Sequence, residues 1–300
     1  MTPLIYFKRL LHHTNVAVVF ACLLLITTAF LKPLVLSQPV YSFQIGFDIS
    51  QSMNVADIED NGRLITRLDY AKQTAASMLR ELPCGSSIGW SVFTGRRTLT
   101  LIKPLEVCEH YAGLSAALEQ ITGTMRWNNG SSIGKGVHQL MKAAYDFDDH
   151  PNIVLMTDGQ EAPPLEPGQR GVPNTDKFEI SGLLVGVGGR TPMPIPKSNA
   201  DGVQIGFWTA QEVVQRPGAM PVGGGEELSR RDDERLQTLA RLTQLDYVSL
   251  DSPAALVTTA MKSDFALHRD TPTDMRWALA LLALALLIWR FFPGHLFSRN

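Results

Sequence analysis

The stretch Tyr41-Ser42-Phe43-Gln44-Ile45-Gly46-Phe47-Asp48-Ile49-Ser50-Gln51-Ser52 indicates the fold of this chain. Its first seven residues alternate in hydrophobicity, which predicts a β-strand. Asp48, Ser50 and Ser52 follow at alternate positions just past that strand. One carboxylate and two hydroxyl groups placed in this way can converge on a hard cation, because Mg²⁺ and Ca²⁺ prefer oxygen ligands. Taken alone, the same residues are also common in ordinary turns.

Two downstream segments match this first one. Segment 129–136 opens a helical pattern that continues to Ala144, and segment 152–160 is a short apolar strand that ends in a carboxylate on a tight turn. In an open parallel sheet, strand-to-helix loops gather at the carboxyl ends of the strands, where ligands bind. The three loops therefore predict one metal site, whose candidate ligands are Asp48, Ser50, Ser52, Ser131 and Asp158.

The three segments together resemble the metal-ion-dependent adhesion site (MIDAS) of von Willebrand factor A domains. That family combines D-x-S-x-S, a Thr after Gly at a helix start, and an Asp in a T-D-G turn. Ser131 stands where Thr is usual, so the hydroxyl ligand is kept and one methyl group is lost. The resemblance covers about Tyr41 to Leu250 and implies a bound Mg²⁺ or Ca²⁺ that a partner's Asp or Glu completes. The alternative is that these residues are ordinary helix caps and turn residues.

The rest of this region alternates between strand and helix patterns. Alternation of this kind predicts an α/β fold: a doubly wound, mostly parallel sheet with helices on both faces, as in Rossmann-like proteins. The predicted domain spans 41–263, with helices over 67–81, over 111–121, from a Ser229 cap through Leu245, and from a Ser252 cap to about Met261. Pro- and Gly-rich loops at 162–175 and 189–225 either form a rim around the metal or are solvated insertions.

Two apolar segments lie near the ends of the chain. Segments 15–31 and 275–292 are predicted to be transmembrane helices, joined to the domain by linkers 32–40 and 264–274. The alternatives are a cleaved signal peptide for the first and a buried core helix for the second. Flanking basic residues predict that the N-terminus 1–14 and the tail 293–300 are cytoplasmic and that the domain is periplasmic, on a two-pass inner-membrane protein. The residues that favour this orientation are Lys8, Arg9, Arg290 and Arg299, whereas Lys32 and Arg276 oppose it.

Two cysteines flank a predicted hairpin. Cys84 and Cys108 lie outside strand-like runs 88–93 and 98–102, which a turn at 94–97 connects. Antiparallel pairing about that turn places the two cysteines nearly opposite each other and predicts a disulfide. Such a bond would persist in an oxidising compartment. The alternative is a pair of unrelated buried thiols.

Patterns typical of enzymes and nucleic-acid binders fail on inspection. Segment 130–136 resembles a phosphate loop, but its Gly spacing is one residue short and Gly136 replaces the required Ser or Thr. A hydrolase with Ser50 as nucleophile would need a nearby base, and the sequence suggests none. The net charge of −2 and the lack of a basic run make nucleic acid an unsuitable partner. We therefore expect a binding protein and not an enzyme.

A second resemblance extends beyond the metal motif. The external domain is similar to MxaL-type proteins, which accompany the periplasmic, quinone-dependent methanol dehydrogenase of methylotrophic bacteria. That similarity implies a role in assembling the dehydrogenase or loading its calcium, either by adhesion or by delivering the ion as cargo. Bat proteins, which also place an A domain between membrane helices, are the alternative and imply a scaffold unrelated to methanol oxidation. The segments that carry the MxaL resemblance are 82–86, 107–109, 157–164, 182–189 and 194–197.

Overall fold

The structure is a computed structural model that describes residues 16–166, 168–199, 201–215 and 225–291. Predictions for 1–14 and 293–300, which include Lys8, Arg9 and Arg299, fall outside the described residues. The described residues form two compact units. The smaller contains the described parts of Met1–Gln38 and Arg269–Asn300, and the larger is Pro39–His268.

The main sheet is mostly parallel, as the strand and helix alternation predicts. Its strand order is β12-β7-β6-β1-β4-β5, and β13 pairs with β1. Parallel pairing joins β12, β7, β6, β1 and β4, whereas β5 pairs antiparallel with β4. The strands of the described chain are β1 (Leu34–Asp48), β2 (Ile58–Asp60), β3 (Arg63–Ile65), β4 (Ser87–Thr94), β5 (Arg97–Glu106), β6 (Asn152–Thr157), β7 (Gly182–Gly186), β8 (Met193–Pro194), β9 (Pro196–Ser198), β10 (Gln204–Phe207), β11 (Leu228–Ser229), β12 (Asp246–Ser249) and β13 (Ala266–Thr273).

Helices cover both faces of the sheet. The helices of the described chain are α1 (Val16–Phe30), α2 (Arg67–Glu81), α3 (Tyr111–Gln120), α4 (Ile133–Tyr145), α5 (Asp233–Thr243), α6 (Pro253–Ala260) and α7 (Arg276–Phe291). One apolar core lies between the sheet and α2, α3 and α6, and a second lies between the sheet and α4 and α5. Phe43, Ile45 and Phe47 of β1 are fully buried in the first core. Burying side chains of this size stabilises the fold by about 1.5–3 kcal/mol each, which holds the central strand firmly.

The predicted boundaries differ most around Ser229. Helix α2 spans the predicted 67–81, and the Thr66 side chain caps it by accepting from Asp69 N at 3.1 Å. Ser229 does not cap α5, however, because it lies in β11. Asp232 is the N-cap, and its carboxylate accepts from Arg235 N at 2.9 Å. Ser229 Oγ instead hydrogen-bonds to the buried side chains of Arg67 and Asp158.

The two predicted linkers contain strands. Strand β1 begins at Leu34, inside the predicted linker 32–40, and β13 occupies most of the predicted linker 264–274. Polar residues there hide the strand pattern, because much of β13 is exposed and has no apolar face to bury.

A disulfide joins the ends of the β4–β5 hairpin. Cys84 and Cys108 are bonded, with their Cα atoms 5.3 Å apart. The antiparallel register pairs Ser87 with Glu106, so the two cysteines lie just beyond facing strand ends.

Helices lie within both terminal apolar segments. Among the described residues, α1 has 15 residues and α7 has 16. No helix of the described residues is long and apolar enough to cross a membrane, so the predicted transmembrane helices 15–31 and 275–292 are not found within them.

Candidate metal centre

Asp48 occupies the carboxyl end of the central strand. Its side chain is fully buried. Oδ1 accepts a hydrogen bond from Ser50 N at 2.9 Å, and Oδ2 accepts one from Thr157 Oγ1 at 2.7 Å. Because Thr157 ends the neighbouring strand β6, these bonds fix the carboxylate between two strand ends.

Ser50 and Ser52 lie on the turn that follows. Ser50 precedes a short 3₁₀ turn, Gln51–Asn54, and both serines are buried. Their Oγ atoms are 3.1 Å apart. The turn therefore brings two neutral hydroxyl oxygens together on the same side as the Asp48 carboxylate, and both serines line one cavity with Ser131.

Ser131 carries the observation that best tests for a ligand. Its backbone is fixed to Ala162, with Ser131 N to Ala162 O and Ala162 N to Ser131 O both at 2.7 Å. Its side chain is buried, yet Oγ has no hydrogen-bond partner among the described residues. A buried hydroxyl without a partner costs about 1–3 kcal/mol. A cation in the cavity would give this oxygen a partner.

Asp158 lies on a turn that requires glycine. Its Oδ1 accepts from Gln160 N at 3.1 Å, and its Oδ2 accepts from Arg67 Nη1 and Ser229 Oγ, both at 2.8 Å. Gly159 has φ of +84°, and a Cβ there would lie 2.8 Å from Leu236. The T-D-G sequence thus allows the sharp turn that holds Asp158 at the end of β6.

Sequence reasoning missed Arg67, a fully buried residue behind the site. Its guanidinium donates to Asp57 through Nε and Nη2, at 2.6 to 3.1 Å, and to Asp158 through Nη1. Nη1 also donates to Ser229 Oγ at 2.6 Å. The sequence places Arg67 only at a helix start, because the residues that it contacts are up to 162 positions away.

Asp48 and Asp158 place two buried carboxyl groups at this site. Burial, and next the charge of Asp158, raise the pKa of the Asp48 carboxyl to about 7, whereas hydrogen bonds from Thr157 and Ser50 lower it. A cation bound beside Asp48 would favour its charged form. The donor set consists of carboxylate and hydroxyl oxygens, which suits Mg²⁺ or Ca²⁺. These residues therefore fit a divalent cation.

The long loop that begins at 189 forms a rim beside the site. Gln51 Oε1 accepts from Trp208 Nε1 at 2.9 Å and from Ser198 N at 3.2 Å. Gln51 Nε2 donates to Asn129 Oδ1 at 3.0 Å. One side chain thus ties the described part of this loop to two of the metal-site loops, which favours a rim over a solvated insertion. Pro217 and Pro221, also in the predicted loop, lie outside the described residues.

The loop 162–175 also packs near the site. A Cβ on Gly134 would lie 2.2 Å from the carbonyl oxygen of Gly171, so glycine is needed where the loop crosses the start of α4. The two rim loops and the metal-site loops enclose a cavity of about 240 Å³. It is lined by the hydroxyl-bearing Ser50, Ser52 and Ser131 and by the apolar Ile195, Trp208, Val213 and Val214.

Comparisons with known proteins show the fold. No family model and no curated protein matches the chain. An aerotolerance-related membrane protein from Bacteroides fragilis, with multiple mutations to serine, is 20% identical with a TM-score of 0.54, over 73% of this chain and 96% of that protein. BatB from Bacteroides thetaiotaomicron is 21% identical with a TM-score of 0.54, over 74% and 95%.

A von Willebrand factor type A protein from Catenulispora acidiphila is 13% identical with a TM-score of 0.39, over 74% of this chain and 41% of that protein. The resemblance to MxaL-type proteins is not shown by these comparisons and stays a prediction. Von Willebrand A proteins and Bat proteins are thus both among the structural neighbours. The fold of this chain is mixed α/β with a mostly parallel sheet, and it is similar to the fold of the two Bacteroides proteins.

Proposed function

We propose that this chain is a protein-binding module that depends on a divalent cation. One observation carries the proposal: the buried Ser131 hydroxyl has no partner among the described residues and lines a cavity with Ser50 and Ser52. Asp48 and Asp158, at adjacent strand ends, supply the negative charge behind these hydroxyls. This arrangement has the chemistry of a cation site, and one face of it opens into a cavity.

The five candidate side chains offer the cation two kinds of ligand. Asp48 and Asp158 provide charge, whereas Ser50, Ser52 and Ser131 provide neutral oxygens. When bound, Mg²⁺ or Ca²⁺ supplies a positive centre that attracts a carboxylate, and neutral ligands leave part of that charge available to a partner's Asp or Glu. The contacts of Ser50 support binding over hydrolysis, since its Oγ lies beside Ser52 Oγ and a serine hydroxyl is not a suitable general base.

We further propose that the module acts outside the cytoplasm and is held at a membrane. The Cys84–Cys108 disulfide supports an oxidising compartment. Helices α1 and α7 expose large apolar side chains, among them Phe30 at 82% and Trp289 at 76%, which water solvates poorly. An alkaline phosphatase fusion after Leu267 should be active and one after Asn300 inactive; the reverse pattern would refute the placement.

Two biological settings fit this chemistry. The MxaL-type resemblance points to assembly or calcium loading of a quinone-dependent methanol dehydrogenase, with that enzyme as partner. The fold similarity to the two Bacteroides proteins favours a Bat-like membrane scaffold about as well. Adhesion and delivery of the ion as cargo differ in one property, because delivery requires weak, exchangeable metal binding.

A pull-down with the full chain tests the proposal. We expect partner capture in Mg²⁺ or Ca²⁺ and its loss with a chelator or in Asp48→Ala. Ser131→Ala should need a higher Mg²⁺ concentration for capture, whereas the neighbouring Ser132→Ala is the matched control, since the Ser132 side chain makes no capping hydrogen bond. Capture that survives both the chelator and Asp48→Ala in folded protein would refute the mechanism. The captured protein then distinguishes a dehydrogenase from other A-domain proteins.

A further inference from the structure

A second cavity adjoins the metal cavity and has a different character. Its volume is about 560 Å³, and its wall includes Arg96, Arg97, Lys135 and the half-exposed Trp127. We call these four residues the basic subsite. Ser131 lines both cavities, so the basic subsite begins at a candidate metal ligand.

In the part of the chain that the structure describes, the three cations of the basic subsite, Arg96, Arg97 and Lys135, form no ion pair. Glu161, the acidic residue in the wall, is bound to Arg235 Nη2 at 2.7 Å and accepts from Ile133 N at 3.2 Å. The Glu161 carboxylate is therefore already paired within the protein, and the positive charges of Arg96, Arg97 and Lys135 remain available to a ligand.

The backbone holds the basic subsite beside Ser131. Gly95 N donates to Gly130 O at 2.8 Å, and Ser132 N donates to Gly95 O at 2.7 Å. Thr94 Oγ1 adds a bond to Asn128 O at 2.9 Å. The β4–β5 turn, which carries Arg96 and Arg97, is thus fastened on both sides of Ser131. A rigid arrangement loses little entropy when a ligand binds.

The metal cavity is also lined by apolar side chains that the second cavity does not share. They are Ile195, Trp208, Val213 and Val214, and Val214 is 66% exposed. A ligand chain that places a carboxylate at the metal would therefore have apolar side chains within the metal cavity and three cations in the adjoining one. This asymmetry specifies the ligand more narrowly than the metal does.

Building on the proposed metal-dependent binding, we propose that the site recognises an acidic segment of a partner protein. One Asp or Glu of that segment binds the metal. On one side of this residue in the peptide, a large apolar side chain enters the cavity beside Trp208. On its other side, further Asp or Glu residues contact Arg96, Arg97 and Lys135. Charge complementarity of this kind contributes specificity and association rate more than affinity. It weakens as salt is added, because exposed charges are screened within about 8 Å at physiological ionic strength.

Two synthetic peptide probes test this inference with the full chain. LFGDGEE and LFGDGKK share the apolar residues and the metal-binding Asp and differ only in the charge of the tail, and each is also made in reverse order. In Mg²⁺, fluorescence anisotropy should show that the acidic probe binds at least about tenfold more tightly. The double variant Arg96→Glu/Arg97→Glu should reverse that preference. Arg63→Glu/Arg269→Glu, at exposed positions outside both cavities, should not change it.

The outcomes separate this inference from the proposed function. Metal-dependent binding with equal affinity for both probes would overturn the basic subsite and leave the metal-dependent function standing. Binding that persists with a chelator or in folded Asp48→Ala would overturn the metal-dependent function itself. Failure of the acidic probe to bind in Mg²⁺ would overturn the inference. A second result would also overturn it: the protein binds anionic lipid vesicles, Arg96→Glu/Arg97→Glu abolishes that binding, and the two peptide probes bind equally well.

Discussion

Replacing Arg67 should destabilise the protein strongly, and the loss should depend on metal. The guanidinium is fully buried and contacts the carboxylates of Asp57 and Asp158 at 2.6 and 2.8 Å. Arg67→Met keeps much of the side-chain volume but leaves both carboxylates without their cation. Breaking a buried ion pair by removing one partner costs about 3–5 kcal/mol. Total stabilities are about 5–15 kcal/mol, so the variant should fold but unfold at lower urea concentration.

Added Mg²⁺ should reduce this loss. A cation held by Asp48 and Asp158 would compensate Asp158, but Asp57 would stay unpaired. We therefore expect the difference in unfolding free energy between wild type and Arg67→Met to shrink by about 1 kcal/mol or more in saturating Mg²⁺. Urea unfolding followed by circular dichroism, with Mg²⁺ or with a chelator, measures both quantities.

Arg231→Met is a suitable control. The Arg231 side chain is also buried and pairs with Asp233 at 2.7 Å, but it contacts none of the candidate metal ligands. Its loss of stability should be the same with and without Mg²⁺. A loss below about 1 kcal/mol in Arg67→Met would refute the account of a buried ion-pair network. An equal loss in both conditions would show that Arg67 is not coupled to a metal. If Arg67→Met does not fold, Ser229→Ala removes one donor to Asp158 and should cost about 1 kcal/mol, again less in Mg²⁺.

Three further perturbations test the site and the hairpin. Because the pKa of Asp48 is raised to about 7, protons compete with the metal for this carboxylate below that pH. Mg²⁺ affinity, measured by calorimetry, should therefore fall up to about tenfold per pH unit below 7 and level off above it. An affinity that stays constant from pH 5 to 8 would count against Asp48 as a ligand. Ser131→Thr restores the usual family residue and should bind Mg²⁺ at least as well as wild type, whereas Ser131→Ala should bind on the order of tenfold more weakly; equal affinities for wild type and Ser131→Ala would remove Ser131 from the ligand set. Replacing both Cys84 and Cys108 with Ser should lower the unfolding free energy by about 2–4 kcal/mol in urea titrations, and free thiols in peptide maps of wild-type protein would refute the bond.

The same pKa has a consequence for the stability of metal-free protein. A carboxyl whose pKa is higher when folded than when unfolded binds more protons in the folded state between those two values. Stability therefore falls as pH rises from about 4 through 7, and the stabilisation by Mg²⁺ should be largest above pH 7, where Asp48 is charged without it.

Sequence patterns predicted the parts of the site that depend on residues close together in the chain. Strand alternation ends at Asp48, the T-D-G turn requires a glycine at 159, and α2 spans the predicted 67–81. Each of these depends on residues within a few positions of one another. The carboxyl ends of β1 and β6 bring two of the three loops together, because these strands are neighbours in the sheet. The Ser131 loop was predicted to follow a strand, but it joins helices α3 and α4 and is held beside the site by its backbone bonds to Gly95, just past β4.

Long-range contacts decided the features that could not be predicted. Ser229 and Asp232 are both good cap residues three positions apart, and nothing local separates them. Ser229 contacts Arg67 and Asp158 in the folded chain, which leaves Asp232 as the cap. The rim is similar, since Gln51 fixes Trp208 from 157 positions away without any periodic pattern.

The charges of the site indicate why a divalent cation suits it. Asp48, Asp57 and Asp158 bring three buried or nearly buried carboxylates together, and Arg67 brings one buried guanidinium. When all are ionised, the cluster is left with two uncompensated negative charges. A monovalent cation would neutralise only one of them, and burying the other would remain costly because an unpaired charge loses its hydration. A divalent cation would balance the cluster. Because three of its five candidate ligands are neutral hydroxyls, such a cation would keep positive charge for the partner carboxylate that we propose.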